Sequence, residues 1–358
     1  MSLGKRLIST AAGSGDPRID GQGSEATAKW VATNGGKVYY HNSVNPNSTF
    51  SSVSLGSATE IYDVIWDGFT WIAATNNGIF QTSDSSCASG WTNVFNPGSP
   101  YYGRHILPVP GGNLIVTGHN SNGTALVAYT TIIDGTVSSS NWNSKSLGIA
   151  GDTFFAGATN TRVVIGRRID SGTAPQFYYT SNDNDWFLEN GWTGWQVSGS
   201  PPWGTAFTSD GTNVIGARRD FNGVFYASSL GASITDQALG SNYFPKLSYS
   251  NGYWVAANGN VYYTKTTYNG SWTTQSTSTT TYVTPFYYNG TYWAAGMNYA
   301  NSNSQAIVYK SSLSDGNSYV TQGTIGSPSG SYIQTLRPSK LYKYYGWNNL
   351  GSSSTTFG

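Results

Sequence analysis

The residues of this chain best suited to chemistry are arginines and aromatic rings. Two segments echo each other, Val164-Ile-Gly-Arg-Arg-Ile-Asp170 and Val214-Ile-Gly-Ala-Arg-Arg-Asp220. Aligning their glycines matches Arg168 with Arg218 and Asp170 with Asp220. A guanidinium grips a carboxylate or phosphate through paired N–H groups, so converging arginines make an anion clamp. The same pairs equally describe plain Arg–Asp ion pairs at strand ends. Arg104 is a third candidate, and Tyr101, Tyr102, Trp203 and Tyr243 occupy comparable connecting segments. Such rings either stack on sugars or cap a core already rich in Tyr and Trp.

Other chemistries find little footing. His41, His105 and His119 are scattered without metal-ligand spacing, and each reads as a surface or loop imidazole. Cys87 lies in a polar stretch with no nucleophile signature, and as the lone cysteine it forms no internal disulfide. No GxSxG motif or phosphate-binding glycine loop occurs. Most glycoside hydrolases need two carboxylates facing a sugar, yet Glu occurs only at positions 25, 60 and 189. None of these is expected at the face that would carry the arginines. No catalytic residue, cofactor or metal ligand is therefore predicted. The net charge of +1 leaves no electrostatic footprint for nucleic acid. No apolar run approaches the roughly 18 residues of a membrane helix. The first ten residues hold a basic pair but no run of signal-peptide length.

The elements that must position these residues are strands. Among 358 residues are 44 Gly and 26 Tyr, and only 10% are charged, a composition suited to pleated surfaces and tight turns. The clearest unit begins at Ile61 and ends at Phe95. It reads as strands a at 61–66, b at 70–75, c at 78–83 and d at 91–95, with Asp67-Gly68 turning between a and b. Ala73 and Ala74 in strand b are small, as close-packed neighbouring sheets require. The pattern recurs at Tyr253-Trp-Val-Ala-Ala257, at Tyr292-Trp-Ala-Ala295 and at Asn213-Val-Ile-Gly216, with weaker copies near 110–117 and 158–166. The spacing of the turn glycines, about 40 to 50 residues, is that of a four-stranded propeller blade.

The predicted fold is thus an all-β propeller of seven four-stranded blades, or eight if Leu341–Tyr345 is a further strand. Residues 29–34, 37–41 and 49–53 read as b, c and d without a preceding a, and Tyr332-Ile-Gln-Thr-Leu336 reads as that missing strand. A C-terminal strand would then close the first blade and remove a free edge. The predicted organisation is one propeller over 27–358 preceded by an arm at 1–26, whose Gly, Ser and Ala content cannot bury enough apolar surface to order alone. On this topology the d–a and b–c connections share one face, which would gather Arg104, Arg168, Arg218 and the four rings.

Ser83-Asp-Ser-Ser86, Ser181-Asn-Asp-Asn-Asp-Trp186, Tyr268-Asn-Gly-Ser-Trp272 and Ser314-Asp-Gly316 resemble degenerate copies of the Asp-box turns of sialidase-like propellers. That resemblance implies a fold and no activity. The weakly charged, Gly/Ser/Asn/Thr/Tyr-rich chain with its N-terminal arm also resembles virion proteins of tailed bacteriophages. The resemblance implies a non-enzymatic fibre, spike or decoration protein, assembled in the host cytoplasm, joined to other virion proteins through the arm and oligomeric in the particle. It would contact host surface polysaccharide, with no nucleic acid and no membrane insertion. A non-viral propeller lectin and a sialidase-like glycoside hydrolase are the alternatives.

Overall fold

The computed structural model describes residues 25–96, 102–109, 113–120, 123–130, 137–150, 153–158, 163–167, 176–180, 187–188, 207–218, 223–229, 232–239, 246–277, 281–282, 284, 286–298, 305–310, 320–325 and 333–339. The predicted arm up to residue 24 and the candidate strand Leu341–Tyr345 lie outside these.

The strands follow one another in antiparallel sets. They are β1 (Trp30–Asn34), β2 (Lys37–His41) and β3 (Ser51–Ser54); then β4 (Ile61–Trp66), β5 (Trp71–Thr75), β6 (Gly78–Thr82) and β7 (Thr92–Phe95). Next come β8 (Tyr102–Val109), β9 (Asn113–His119), β10 (Thr124–Thr130) and β11 (Trp142–Ala150). A fourth set is β12 (Thr153–Ala158), β13 (Val163–Arg167), β14 (Gln176–Thr180) and β15 (Phe187–Leu188). A fifth is β16 (Phe207–Ser209), β17 (Val214–Arg218), β18 (Gly223–Ala227) and β19 (Thr235–Ala238). A sixth is β20 (Lys246–Ser250), β21 (Tyr253–Asn258), β22 (Val261–Lys265) and β23 (Thr273–Thr277). The last is β24 (Thr281–Tyr282), β25 (Tyr287–Tyr288), β26 (Trp293–Asn298), β27 (Gln305–Lys310) and β28 (Val320–Thr324), before β29 (Ile333–Pro338).

Among the described residues these strands make seven sheets, numbered here 1 to 7 in chain order of their b strands. Sheets 1, 2, 5 and 6 are described with most of their side chains, and sheets 3, 4 and 7 chiefly as backbone. Sheet 1 has the order β29-β1-β2-β3, so its innermost strand comes from the far end of the described chain. Thr335 lies opposite Thr33 and Pro338 opposite Trp30. In sheet 7 the innermost position is divided between β24 and β25, both paired to β26. The innermost strands touch in succession: β29 with β4, β4 with β8, β8 with β12, β12 with β16, β16 with β20, β20 with β25, and β25 with β29. This cyclic, all-antiparallel architecture is a β-propeller.

The repeat explains the packing. Strand b opens on a buried tryptophan (Trp30, Trp71, Trp254 or Trp293) and continues through small residues such as Ala32, Ala73, Ala74, Ala256, Ala257, Ala294 and Ala295, all buried. The indoles fill space between sheets while the alanines let the neighbouring sheet approach. The turns obey their own chemistry. Asp67 Oδ1 accepts from the N–H groups of Phe69 (2.9 Å) and Thr70 (2.7 Å), so the Asp-Gly turn is held by its first side chain. Gly78 has φ +98°, and a Cβ there would collide with the Phe95 carbonyl oxygen.

The c–d turn of sheet 2 is built around Asp84. Its Oδ1 accepts from Ser86 N–H (2.9 Å) and Oγ–H (2.6 Å), and its Oδ2 from Ser89 N–H (3.0 Å) and Oγ–H (2.8 Å). Burial works to raise the Asp84 carboxyl, but these donors hold it below its usual value. Trp91 donates its indole N–H to the Cys87 carbonyl at 3.1 Å, tying down the following strand.

One buried ion pair fastens the ring. Asp63 Oδ2 lies 2.9 Å from Arg337 Nη2, and both side chains are 2% exposed. The same oxygen accepts from Ile106 N–H at 2.9 Å, and Oδ1 accepts from Val64 N–H at 3.0 Å. The Arg337 guanidinium also lies 5.9 Å from the centre of the Tyr287 ring. Asp63 on β4 therefore joins β29 to β8, three consecutive innermost strands, and Arg337 reaches a fourth.

A second cation pins sheet 5 to sheet 6. Lys265 Nζ donates to Gln237 Oε1 (2.9 Å) and the Tyr268 carbonyl (2.6 Å) and sits 4.4 Å from the Trp272 ring centre and 5.2 Å from that of Tyr226. Burial outweighs these contacts and pushes its pKa down to about 7. An unfolded lysine titrates near 10.4, so between about pH 7 and about pH 10 the unfolded chain binds more protons than the folded one. Stability contributed by this group must rise with pH across that window. Thermal melts of the wild type should shift upward from pH 7 to pH 9.5, and those of Lys265→Met should shift less. Equal shifts in both proteins would contradict the assignment.

Candidate functional site

In a propeller of this connectivity the d–a connections and b–c turns emerge together, where each innermost strand begins. There the described residues gather Glu60, Tyr62, Tyr102, Arg104 and His119. The local cause is a β-bulge. In sheet 3, Gly103 lies opposite Gly118 and His105 opposite Thr117, so Arg104 is the extra residue of β8. In sheet 2, Ile61 lies opposite Thr75 and Asp63 opposite Ala74, which makes Tyr62 the extra residue of β4. A bulge breaks the strict alternation of faces and re-aims the inserted side chain. The backbone is tight here: a Cβ on Gly103 would lie 3.1 Å from Val116 Cγ1 and 3.2 Å from Ala74 Cβ.

The two bulge residues meet. The Arg104 guanidinium stacks on the Tyr62 ring, 4.0 Å from its centre. Arg104 Nη2 is 3.4 Å from His119 Nε2, and His119 Nδ1 is 2.9 Å from the Asn120 carbonyl oxygen. Nδ1 is thus the protonated nitrogen of a neutral ring whose Nε2 accepts from Arg104, since a carbonyl cannot donate. Tyr102 stacks on His119 with ring centres 4.8 Å apart and planes 12° from parallel. The Tyr62 hydroxyl donates to Glu60 Oε2. Burial, then that bond, pushes the Tyr62 phenol well above its ordinary range. Among the described residues Arg104 forms no ion pair with a carboxylate. It is a half-buried cation held from one side by a ring and along one edge by an imidazole.

Of the candidate site residues, Tyr102 and Arg104 lie in this cluster, both within β8. Arg218 is the last residue of β17, with its side chain outside the described part. Tyr101, Arg168, Trp203 and Tyr243 fall outside the described residues. Expectations for the glutamates and the histidines are corrected, since His41 is buried in β2 and His105 lies within β8, neither of them a loop imidazole. Glu60 precedes β4 directly and contacts Tyr62, so a glutamate does stand on this face. His119 belongs to the cluster and is no isolated loop imidazole.

Elsewhere the polar residues serve the fold. His41 is buried, with Nε2 2.7 Å from Ser48 Oγ and its ring 5.1 Å from that of Phe50. Cys87 is buried, and burial followed by the Asp84 charge raises its thiol pKa. No group of three or more His, Cys, Asp or Glu residues suits a metal ion among the described residues. No described helix is long and apolar enough to cross a membrane.

Comparison with solved structures shows the same fold class and no closer kinship. The chain is similar to a GH74 xyloglucanase from Xanthomonas campestris, with TM-score 0.56 and 11% identity over 76% of this chain. It spans only 46% of that enzyme. It is similar to streptogramin B lyase, with TM-score 0.52 and 9% identity over 88% of this chain and 100% of that one. YCF48 from Cyanidioschyzon merolae matches with TM-score 0.51 and 12% identity over 78% of this chain and 89% of that one. No family model matches the sequence, and no curated protein does. The protein is a β-propeller. Identities this low carry the fold alone, and because two of these neighbours are named as enzymes, the likeness does not divide binding from catalysis.

Proposed function

We propose that this protein is a seven-bladed propeller that binds and does not catalyse, serving as an attachment or structural protein of a tailed-phage particle that contacts host surface polysaccharide. The observation that carries the binding half is the Arg104 cluster, a cation stacked on Tyr62 and tethered by His119 beside the Tyr102 ring. Rings for stacking next to donors for hydroxyls or carboxylates suit a glycan. The particle half is supported by composition and by the sequence of the arm at 1–26.

The hydrolase reading has one observation in its favour, the Tyr62–Glu60 hydrogen bond next to Arg104. Against it, the Tyr62 pKa is raised, opposite to the shift that activates a nucleophile.

The test is a binding titration of the folded protein against purified host surface polysaccharide, with a fluorogenic glycoside panel run alongside. The wild type should bind and release no fluorophore. Tyr102→Ala and Trp203→Ala should each weaken binding, by about tenfold where the ring is a central anchor. Turnover abolished by Tyr62→Phe would establish the hydrolase instead. Equal binding of one simple sugar at sites repeated around the ring would favour a lectin.

A further inference from the structure

The buried pair that fastens sheets 1 and 2 has a counterpart of different chemistry in sheets 5 and 6. Arg337 lies opposite Val31, three residues before Asn34, where strand b of sheet 1 ends. Asp63 lies opposite Ala74, next to last in strand b of sheet 2. From those two places their side chains meet at 2.9 Å. In sheet 5, Thr208 lies opposite Ile215, three residues before the closing Arg218. In sheet 6, Lys246 lies opposite Ala257, next to last before Asn258. Thr208 and Lys246 thus hold the places of Arg337 and Asp63 in another pair of consecutive sheets. Their strands, β16 and β20, touch as β29 and β4 do.

Where sheets 1 and 2 set a cation against a carboxylate, sheets 5 and 6 set a cation against a hydroxyl. Thr208 is 2% exposed, and among the described residues its Oγ1 has no hydrogen-bond partner. Ser248, at the place of Thr208 one sheet further on, does use its hydroxyl, donating to the Phe286 carbonyl at 2.6 Å. Lys246 is half-buried, and its ammonium meets no carboxylate or other acceptor among the described residues. Burial alone pushes its pKa down to about 8. A cation withdrawn from water without a partner costs stability, and such costs collect at functional sites.

We propose that Lys246 and Thr208 receive the carboxylate of a small ligand, which takes the part that the Asp63 carboxylate plays in sheets 1 and 2. An ammonium and a hydroxyl can donate to the two oxygens of one carboxylate. One cation balances one negative charge, so the site suits a monoanion better than a phosphate dianion. Because Thr208 is deeply buried, only a group as small as a carboxylate end reaches it. Lys246 is the first residue of β20 and lies where the innermost strands begin, on the face of the Arg104 cluster, which gives a ligand its way in. The site shares no residue with that cluster and does not rest on the glycan reading.

The probes are acetate, D-glucuronate, D-glucose and inorganic sulfate, titrated by ligand-detected NMR. The proteins are the wild-type chain, Lys246→Met, Thr208→Val and Arg104→Gln, each first checked for folding by circular dichroism. The two carboxylates should bind and D-glucose should not. Lys246→Met should weaken carboxylate binding by about tenfold or more, and Thr208→Val by about threefold. Arg104→Gln should leave it unchanged. Without ligand, Lys246→Met should melt above the wild type, because a charge without a partner is removed. Carboxylate binding retained in Lys246→Met, or lost in Arg104→Gln, would overturn the site. Equal affinity for sulfate would reduce it to unspecific charge attraction and overturn it as well. A Lys246→Met protein that melts below the wild type would reveal a structural partner for the ammonium and remove the premise. Binding of neither carboxylate would sink the site and leave polysaccharide recognition at the Arg104 cluster standing.

Discussion

Asp63→Ala should destabilise the protein by about 3–5 kcal/mol, the usual cost of removing one member of a buried ion pair. The substitution leaves the Arg337 guanidinium, 2% exposed, without the carboxylate 2.9 Å away, and also deprives the Ile106 N–H of its acceptor. Three innermost strands lose their common partner at once. A loss of this size lowers the thermal midpoint by about 4–7 °C in a chain of this length. Replacing both partners, as in Asp63→Leu with Arg337→Leu, should cost less than the single change, because no charge is then stranded in the interior. Chemical denaturation of the three proteins decides the matter. A single variant within about 1 kcal/mol of wild type would show that the pair lies idle, and a double variant worse than either single one would locate the cost in packing.

Deleting residues 330–358 should abolish soluble, monodisperse protein. The deletion removes β29, whose Ile333, Leu336 and Arg337 are buried, and with it the only partner of β1 on its inner side. The exposed edge of β1 carries Trp30, Val31 and Ala32, a flat apolar strand of the kind that recruits a second chain. The contacts of β29 with β4 and β25 disappear together, so the ring opens between its first and last sheets. Size-exclusion chromatography and sedimentation should show aggregates. A truncated chain that stays soluble and unfolds in one cooperative step would contradict closure by this strand.

Much of the fold was legible in the chain because the repeat is written in local chemistry. Asp67-Gly68 and Asn251-Gly252 mark hairpin turns, and a tryptophan followed by small residues marks strand b at Trp71 and Trp254. These signals act within a few residues, so their spacing translates directly into strands and sheets. The closing strand was legible for a similar reason: residues 29–53 read as three strands without a first, and 332–336 as a first without followers.

What only tertiary structure decided is which side chains meet. Counting alternate residues along a strand assumes an unbroken pleat, and one inserted residue shifts every later side chain to the other face. Tyr62 and Arg104 are such insertions, and nothing local announces them, because a bulge is a mismatch between two strands. The Tyr62–Arg104 stack and the His119 contact follow from two bulges in adjacent sheets. Asp63 and Arg337 are separated by nearly the whole described chain, and their pairing exists only once the ring has closed. By itself the sequence determined the repeating unit and the turn chemistry, since those are set by neighbours in the chain. The ring decided the site and its buried fastener, because both depend on register and on contacts between sheets that no local pattern encodes.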